Sequence, residues 1–393
     1  KESNLFAKFA FSMIRITDKS KCTGCTACVT SCPVQCIVMR RDRQGFDYPV
    51  ANPDICIGCG KCESVCPVIN PAEPVKPLAS YAMKVQENLS GSSSGGVFPY
   101  IAGKVLDEGG VVFGAVLNDD MTVGHAEAET VAEVEPMRGS KYVQSDLYSV
   151  FEDVKMYLSQ GRKVLFTGTP CQIAGLKSYL GKGSEDLLTV EVACHGVPSP
   201  GLWAKYVEAL GRKHKGTITS VTFKDKSRSW MHYNFVMENA SGRFAVPYVD
   251  DPYMALFVQD MILRPSCHEC PARFGRSGSD ITLADMWTVG KVAKELDDDK
   301  GTSLVIANKA KGMSAVDGLD KREVPFDAAT EGNGGFAVSA EIPLRRDEFF
   351  AGYLSAKDLI AYMKGFVVRR PLHVRLYRKV RHILSTIKRR ITG

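Results

Sequence analysis

Two stretches decide the N-terminal fold: CTGCTACVTSCP at residues 22–33 and CIGCGKCESVCP at residues 56–67. Both read C-x2-C-x2-C-x3-C-P, so one pattern of four cysteines and a proline is used twice. Thiols spaced this closely can surround one centre only where the backbone turns tightly, and small residues such as Gly24 and Gly58 lie between them. The proline after each run stops the turn from continuing as a long helix. The repeat predicts two sites of one kind.

This spacing resembles the two-cluster bacterial ferredoxins, in which three thiolates of each run hold one [4Fe-4S] cluster and the fourth crosses to the other. The resemblance implies one cluster on Cys22, Cys25, Cys28 and Cys66, and a second on Cys56, Cys59, Cys62 and Cys32. Paired C-x2-C units also build zinc sites, but two four-membered runs with both prolines fit zinc poorly. Disulfide staples are not needed by a chain of 393 residues. Cys36 is interpreted as a packed thiol and not as a ligand.

Composition is that of an ordinary globular protein, with 45% hydrophobic and 24% charged residues. No apolar stretch approaches the roughly eighteen residues of a membrane span. Cysteines of this kind favour a reducing cytoplasm. We predict seven segments: an extension at 1–16, in which Met13 is the expected start, a ferredoxin domain of α+β class at 17–70, a Pro-rich linker at 71–77, two further domains at 78–160 and 161–330, an extension at 331–370 and a basic amphipathic helix at 371–393.

The net charge of +6 comes from the C-terminal tail, because Lys364 to Gly393 contains basic residues and no Asp or Glu. Apolar residues recur there at helical spacing. Such a helix can lie on an anionic membrane surface, dock on an acidic partner or cover its own protein. Peripheral membrane association at the cytoplasmic face is therefore one expectation, whereas nucleic-acid binding has no second supporting feature.

Residues 78–330 read as an α/β region with a mixed or mostly parallel sheet. A loop at 90–96, SGSSSGG, opens a predicted helix over 97–108, followed by a strand over 111–117. Backbone amides of such a loop can hold a phosphate, although a flexible turn has the same composition. A second polar cluster, RGSKYVQS at 138–145, could contact a phosphate or a ribityl chain.

Two further cysteines follow predicted strands. A strand at 164–166 precedes Cys171 at the start of a helix over 171–180, and a strand at 187–193 precedes Cys194 and a helix over 201–210. The carboxyl ends of parallel strands are where α/β sheets place ligands. Together with Cys267 and Cys270, these thiols could be inert core residues, a redox dithiol, a zinc site or a third [4Fe-4S] cluster, and their position favours the cluster. Single-electron carriers usually deliver to a flavin, which converts single electrons to hydride.

Several motifs together resemble the coenzyme F-420 hydrogenase/dehydrogenase beta-subunit family over about residues 78–306. They are SSSGGVF at 92–98, KYVQS at 141–145, TGTPCQIAGL at 167–176, CHGVPSP at 194–200, KDKSRSW at 224–230 and CHECPARFGRSGSDITLADMW at 267–287. The resemblance implies an FAD flavoprotein with a [4Fe-4S] cluster on Cys171, Cys194, Cys267 and Cys270. It places along the flavin Ser92, Ser93, Ser94, Gly95, Gly96, Lys141, Tyr142, Thr167, Gly168 and Thr169, with Lys226, Arg228 and Trp230 near the ring or substrate.

The catalytic candidates are Lys226 and His195. His195 adjoins a predicted ligand, where it could act as a proton donor or only hydrogen-bond to a cluster sulfur. The leading hypothesis is an oxidoreductase that takes electrons from a ferredoxin or similar redox partner. It would exchange hydride with a deazaflavin or another organic molecule, with polysaccharide biosynthesis as one setting. The alternatives are a non-catalytic electron-transfer subunit of a larger complex and, third, a redox sensor.

Overall fold

The computed structural model describes residues 13–369. Near the N-terminus, strands β1 (Ile37–Arg41) and β2 (Asp47–Ala51) form an antiparallel pair. Each cysteine run carries a one-turn helix, α1 (Ala27–Thr30) or α2 (Lys61–Ser64), placed identically within its run. Both helices follow a residue with a left-handed backbone, Thr26 at φ 62° and Gly60 at φ 69°. The two runs therefore fold alike, and the predicted α+β character of this part is confirmed.

The remaining elements belong to one larger body. The strands are β3 (Ala79–Met83), β4 (Val111–Leu117), β5 (Val123–Ala128), β6 (Val164–Gly168), β7 (Leu187–Val192), β8 (Ser220–Asp225), β9 (Asn234–Asn239), β10 (Gly242–Pro247), β11 (Ile281–Asp285), β12 (Ser303–Ala307) and β13 (Lys321–Glu323). The helices are α3 (Val97–Asp107), α4 (Val131–Val134), α5 (Val150–Ser159), α6 (Pro170–Leu180), α7 (Pro200–Lys213), α8 (Pro252–Val258), α9 (Val289–Val292), α10 (Ala310–Ala315), α11 (Phe326–Thr330), α12 (Gly334–Ala337), α13 (Arg346–Gly352) and α14 (Leu359–Phe366). Short 3-10 helices cover Lys19–Lys21, Gln86–Asn88, Glu135–Met137, Pro265–Glu269 and Lys294–Leu296.

The central sheet has eight strands in the order β13-β3-β12-β11-β7-β6-β4-β5. Its four middle strands, β11, β7, β6 and β4, are mutually parallel, and antiparallel strands extend both edges. The predicted mixed α/β sheet is confirmed. Strands from both sides of residue 160 share this sheet, so residues 79–323 are built as one structural unit. A separate antiparallel sheet has the order β10-β9-β8.

Both faces of the central sheet are buried, as alternation within β4 illustrates. Val112 packs with Val97 and Ile101 of α3 on one face. Phe113 packs with Phe151 of α5 and neighbouring residues on the other face. Parallel strands covered on both faces are mostly apolar, which explains the apolar runs in the sequence. The buried polar exceptions in β7 are hydrogen-bonded: Thr189 Oγ1 donates to Asp280 Oδ2, and Glu191 Oε1 accepts from Thr282 Oγ1.

The predicted elements of this region lie close to the observed ones. The strand predicted at 111–117 is observed with those bounds, and the helix predicted over 97–108 ends at Asp107. The strand at 164–166 runs on to Gly168, and the helix predicted over 201–210 extends to Lys213. The basic helix predicted at 371–393 lies outside the described residues. Within residues 13–369, no helix combines the length and apolar character needed to cross a membrane.

The cysteine-rich N-terminal part packs directly on the larger body. The N–H of Val75, in the linker, donates to the carbonyl of Gly275 at 3.2 Å. Gly45 lies so close to the start of α7 that an added Cβ would come within 2.8 Å of Gly201 Cα. These contacts hold the described part of the ferredoxin region, residues 13–70, against the larger body.

Candidate functional site

The first four-cysteine set is gathered around one small space. Cys22, Cys25 and Cys28 of the first run line it together with Cys66 of the second run, and apolar residues such as Ile14 complete the wall. Burial raises the pKa of Cys25 to about 11, and the charges of Cys22 and Cys66 add to that effect. Thiols in such a place stay protonated unless a metal centre stabilises the thiolate.

The second set differs from the first in having one exposed thiol. Cys32, Cys56 and Cys62 border an apolar cluster with Cys36, whereas Cys59 is exposed. Cys36 is itself buried, its Sγ lies 3.4 Å from Cys32 Sγ, and its N–H donates to Cys32 Sγ at 3.3 Å. Cys36 therefore packs against the predicted ligands without being required to complete the set of four.

The strand-end cysteines are also brought together. Cys171 is the second residue of α6, Cys194 follows β7 by two residues, and Cys267 and Cys270 lie in and after the 3-10 helix Pro265–Glu269. Burial raises the pKa of Cys171, and the nearby Cys270, Cys194 and Cys267 raise it further. Burial also raises the pKa of Cys267 to about 11. Three distant segments thus supply one four-thiol site, which we call the strand-end site.

A single metal ion does not fit these sets. Across residues 13–369, no three His, Cys, Asp or Glu side chains converge on the point that one ion would occupy. Zinc requires its ligands to meet at such a point, about 2.3 Å from each sulfur. In a [4Fe-4S] cage each thiolate binds a different iron, so the four sulfurs need not meet at one point.

Three buried arginines surround the strand-end site. Arg264 and Arg273 are near enough to lower the pKa of Cys267, and Arg346 also interacts with Cys267. Their hydrogen bonds go to carbonyl, amide and thiol groups, and none of them forms an ion pair with a carboxylate among residues 13–369. A buried cation without a counter-charge is costly. An iron–sulfur cage held by four thiolates is anionic and would supply that charge, whereas four protonated thiols would not.

A cleft of about 500 Å³ opens beside the carboxyl end of β4. Three of the predicted segments line it: Ser92 and Ser93 from the first loop, Arg138 to Lys141 from the second, and Lys224 to Ser227 at the end of β8. Lys300 adds another basic group. This size suits a cofactor or small substrate, and the basic lining suits an anionic one.

Lys141 and Lys226 lie in this cleft and bond to carbonyl groups. Lys141 Nζ donates to the carbonyls of Pro136 and Arg138, and burial lowers its pKa to about 7. Lys226 Nζ donates to the carbonyls of Ser94 and Lys300 at 2.7 Å each. Burial, with the charge of Lys224, lowers the pKa of Lys226 to about 8. Both ammonium groups are therefore poised to titrate near neutral pH.

The loop at 90–96 is held by the rest of the protein. Arg138 reaches Ser92 Oγ at 3.3 Å and the carbonyl of Asn88 at 2.9 Å. Ser94 Oγ donates to the carbonyl of Thr302 at 2.9 Å. Gly95 lies so close to Met83 that a Cβ would come within 2.4 Å of its carbonyl oxygen, and Gly96 begins α3 with φ 78°. The loop is thus a fixed wall of the cleft.

Other predicted flavin residues lie at the end of β6 instead. Thr167 Oγ1 donates to the carbonyl of Phe113 at 3.0 Å, and Gly168 ends the strand. Thr169 Oγ1 lies 3.2 Å from Cys171 Sγ, next to the strand-end site. Tyr142 stacks on Phe257 with ring centroids 4.6 Å apart. These residues therefore lie toward the cysteines, and the loop residues lie at the cleft.

The KDKSRSW segment at 224–230 contains both exposed and buried side chains. Arg228 is exposed, whereas Trp230 is 1% exposed and stacks on Trp287. Trp230 Nε1 donates to Asp285 Oδ1 at 3.0 Å, and the buried Lys224 Nζ lies 2.6 Å from Asp285 Oδ2. The role of Lys224 was missed by sequence reasoning, because the pattern of this segment does not reveal which lysine is paired.

His195 does not line the cleft. Its Nε2 atom lies 2.6 Å from Asp260 Oδ1, an ion pair when the ring is protonated, and its ring meets Phe257 edge-on. The carbonyl of His195 accepts from Arg273 Nη2 at 3.0 Å. His195 therefore links the backbone beside Cys194 to one of the buried arginines.

Known proteins resemble both parts of the chain. Residues 161–330 match the family model for the C-terminal part of the coenzyme F420 hydrogenase/dehydrogenase beta subunit, and residues 21–70 match the 4Fe-4S dicluster domain. No curated protein matches the chain. A chain from a xenon derivatization study of the F420-reducing [NiFe] hydrogenase complex from Methanosarcina barkeri is 19% identical. It covers 74% of this chain and 91% of its own length, with a TM-score of 0.44. Residues 161–330 are thus similar to the C-terminal part of the coenzyme F420 hydrogenase/dehydrogenase beta subunit, and a segment similar to a 4Fe-4S dicluster domain precedes them.

Proposed function

We propose that the protein is an iron–sulfur flavoprotein oxidoreductase. Its two ferredoxin clusters would be held by Cys22, Cys25, Cys28 and Cys66 and by Cys56, Cys59, Cys62 and Cys32. A third [4Fe-4S] cluster would be held by Cys171, Cys194, Cys267 and Cys270. The observation that carries the proposal is the strand-end site, in which four thiols lie among three buried arginines without carboxylate partners in the described part of the chain.

The alternatives for the strand-end site fit less well. Inert thiols would leave three buried arginines that form no ion pair with a carboxylate in the described part of the chain. A zinc ion would balance them, but the described side chains do not converge on one point. A redox dithiol would use two cysteines and leave two unexplained. A cage that binds one iron per thiolate accommodates both the charge and the spacing.

The order of the sites supports electron flow into the larger body. The first ferredoxin set contacts α6, because an added Cβ on Gly175 would come within 3.0 Å of Cys25 Sγ. Cys171 of the strand-end site lies one turn earlier on that helix. The second set includes Cys59, the one exposed thiol among the cysteines of the described residues. An external redox partner would therefore meet the second set first.

The basic cleft is the proposed site for FAD. Its phosphates would lie among Lys141 and the serines of the 90–96 loop, because cations and hydroxyl groups favour an anion there. Thr167, Gly168 and Thr169 would lie on the side toward the cysteines. Bound FAD would supply the conversion between single electrons and hydride. Lys226 is the proposed proton donor at the cleft, since a pKa lowered to about 8 matches proton transfer near neutral pH.

The proposed hydride partner is a deazaflavin or another organic molecule that shares the cleft. We place the reaction in the cytoplasm. Any attachment to a membrane surface would depend on the basic residues beyond 369, which lie outside the described part of the chain. His195, being paired with Asp260 outside the cleft, would position the strand-end site and take no part in hydride transfer.

Anaerobic purification of the full chain tests the proposal. Iron, sulfide and flavin are measured per chain, with about twelve irons and one FAD expected. Cys270→Ser should lower the iron content to about eight and leave the ferredoxin signals, whereas the matched control Cys36→Ser should retain about twelve. About eight irons in the native protein would refute the third cluster, and a preparation without flavin would refute the flavoprotein.

A second candidate function is an electron-transfer subunit without substrate chemistry. The matching family model, which describes a beta subunit, favours it. Isolated protein separates the two functions. Flavin reduction by reduced deazaflavin or another hydride donor, without added subunits, supports the enzyme. Failure with every donor until a further subunit is added supports the subunit.

A further inference from the structure

We infer that Arg264 is a counter-charge shared by two iron–sulfur sites and that it raises the reduction potential of both. The two sites are the first ferredoxin set and the strand-end site. The inference rests on the proposed function, since it presumes that the strand-end cysteines hold a cluster. It adds a residue that no cysteine pattern identifies.

The side chain of Arg264 belongs to the first ferredoxin set. Its Nε atom donates to the carbonyl of Cys22 at 2.8 Å, and Nη2 lies 3.8 Å from Cys22 Sγ. An added Cβ on Gly24 would come within 2.9 Å of Arg264 Nη1, so the loop between Cys22 and Cys25 is pressed against the guanidinium. The positive charge therefore lies against the backbone and sulfur of one predicted ligand.

The main chain of Arg264 belongs to the strand-end site. Its carbonyl accepts from the N–H of Cys267 at 2.9 Å, and its N–H donates to the carbonyl of Val197 at 3.0 Å. The N–H of Val197 in turn donates to Cys267 Sγ at 3.4 Å. The main chain of Arg264 is thus hydrogen-bonded within the strand-end site, while its side chain contacts the first ferredoxin set.

The guanidinium is held firmly between them. Arg264 is 1% exposed, Nη1 donates to Gln144 Oε1 and Nη2 to the carbonyl of Asp47, each at 2.9 Å. The ring of Tyr48 lies 4.2 Å from the guanidinium carbon. No carboxylate forms an ion pair with it within residues 13–369, whereas Cys22 Sγ lies 3.8 Å from Nη2.

A fixed positive charge favours the reduced, more negative form of a nearby cluster. Because Arg264 is buried, water screens this effect little. Arg273 differs in position: it hydrogen-bonds to Gly334, Gly335 and His195 and interacts with Cys194 and Cys267. Removing Arg273 should therefore affect the strand-end site alone, which makes it the matched control.

The test is a redox titration of the full chain followed by electron paramagnetic resonance. Arg264→Gln should shift two midpoint potentials to more negative values, and Arg273→Gln should shift one. In a Cys270→Ser background, which leaves only the ferredoxin clusters, Arg264→Gln should still shift one potential. Arg264→Lys keeps the charge and should leave both potentials near those of the native protein.

The outcomes separate the inference from the proposed function. About twelve irons with no shift, or with one shift only, in Arg264→Gln would overturn the inference and leave the proposed function standing. About eight irons in the native protein would overturn the proposed function itself. Should Arg264→Gln fail to retain iron, Arg264→Lys still decides: potentials near native values support the role of the charge, and a fall of both potentials contradicts it.

Discussion

Gly175 of α6 lies directly against Cys25 of the first cysteine run. A Cβ atom on Gly175 would come within 2.9 Å of Cys25 Cβ and 3.0 Å of Cys25 Sγ, closer than side-chain atoms approach in folded proteins. Glycine in the middle of a helix costs roughly 0.5–1 kcal/mol relative to alanine. The absence of a side chain at Gly175 is nevertheless needed, because it allows α6 to pack directly against Cys25.

Gly175→Ala should therefore destabilise the protein, by about 1–3 kcal/mol from overpacking less the gain in helix propensity. The matched control is Gly103→Ala in α3, because a Cβ there meets nothing within 4 Å. The control should stabilise the protein by up to ~1 kcal/mol. Thermal unfolding of both variants measures the difference. Equal midpoints for the two variants would show that Cys25 and Gly175 are not in tight contact.

Cys32 and Cys36 should differ in iron binding although their sulfurs are 3.4 Å apart. Cys32→Ala should lower the iron content of the full chain by up to about four irons, since it removes a ligand of the second ferredoxin cluster. Cys36→Ala should leave iron unchanged and cost stability through a small cavity, about 1 kcal/mol. Iron analysis and thermal unfolding check both results. Iron loss in Cys36→Ala would make that thiol a ligand.

Lys226→Met should weaken binding of FAD or of a phosphate-containing fragment such as ADP. Lys226 lies in the same cleft as the proposed phosphate site, so its positive charge should attract the phosphates, and the dissociation constant should rise about tenfold when it is removed. Lys213→Met, on the exposed end of α7, is the control and should change little. Calorimetric titration of the full chain provides the measurement. Equal affinities in the two variants would remove the cleft from flavin binding.

The cleft should also bind anions less well as the pH rises. The pKa of Lys141 is lowered to about 7 and that of Lys226 to about 8, so both side chains lose their charge between about pH 6 and pH 9. ADP binding should weaken across that range, and Lys226→Met should flatten the upper half of the profile. A native affinity independent of pH would contradict this assignment.

His125 should make the fold sensitive to mild acid. Burial lowers its pKa to about 4, and its Nε2 atom lies 2.9 Å from the carbonyl of Thr167. Below about pH 6.5 the unfolded chain binds a proton that the folded chain refuses, so stability falls with pH until about 4. His125→Gln should reduce the loss of unfolding free energy between pH 7 and pH 5 by about 2 kcal/mol. Parallel pH profiles for variant and native protein would oppose this explanation.

Local signals in the sequence were sufficient for much of the fold. The strand at 111–117 and the helix before it were readable because apolar residues fill both faces of the sheet. The grouping of Cys66 with Cys22, Cys25 and Cys28 was implied by the resemblance to two-cluster ferredoxins, and these four line a common space. Short local patterns of this kind are enough to predict individual strands, helices and cysteine runs.

Long-range contacts were not readable in this way. Arg264 meets Cys22 across 242 positions of the chain, and no periodicity or motif marks such a pair. The segment KDKSRSW could not reveal that Trp230 is buried on Trp287 while Arg228 is exposed. The antiparallel edge strands β3, β12 and β13 likewise depend on tertiary packing, which propensity does not encode.

The short linker between the ferredoxin part and the larger body affects the kinetics of electron transfer between them. Because Val75 is hydrogen-bonded to Gly275, the ferredoxin part is held against the larger body, where the electron acceptor proposed above would lie. Internal electron delivery should then be first order and insensitive to dilution, unlike delivery from a freely diffusing carrier. Because the two parts belong to one polypeptide, no collision between separate molecules is needed before each electron transfer.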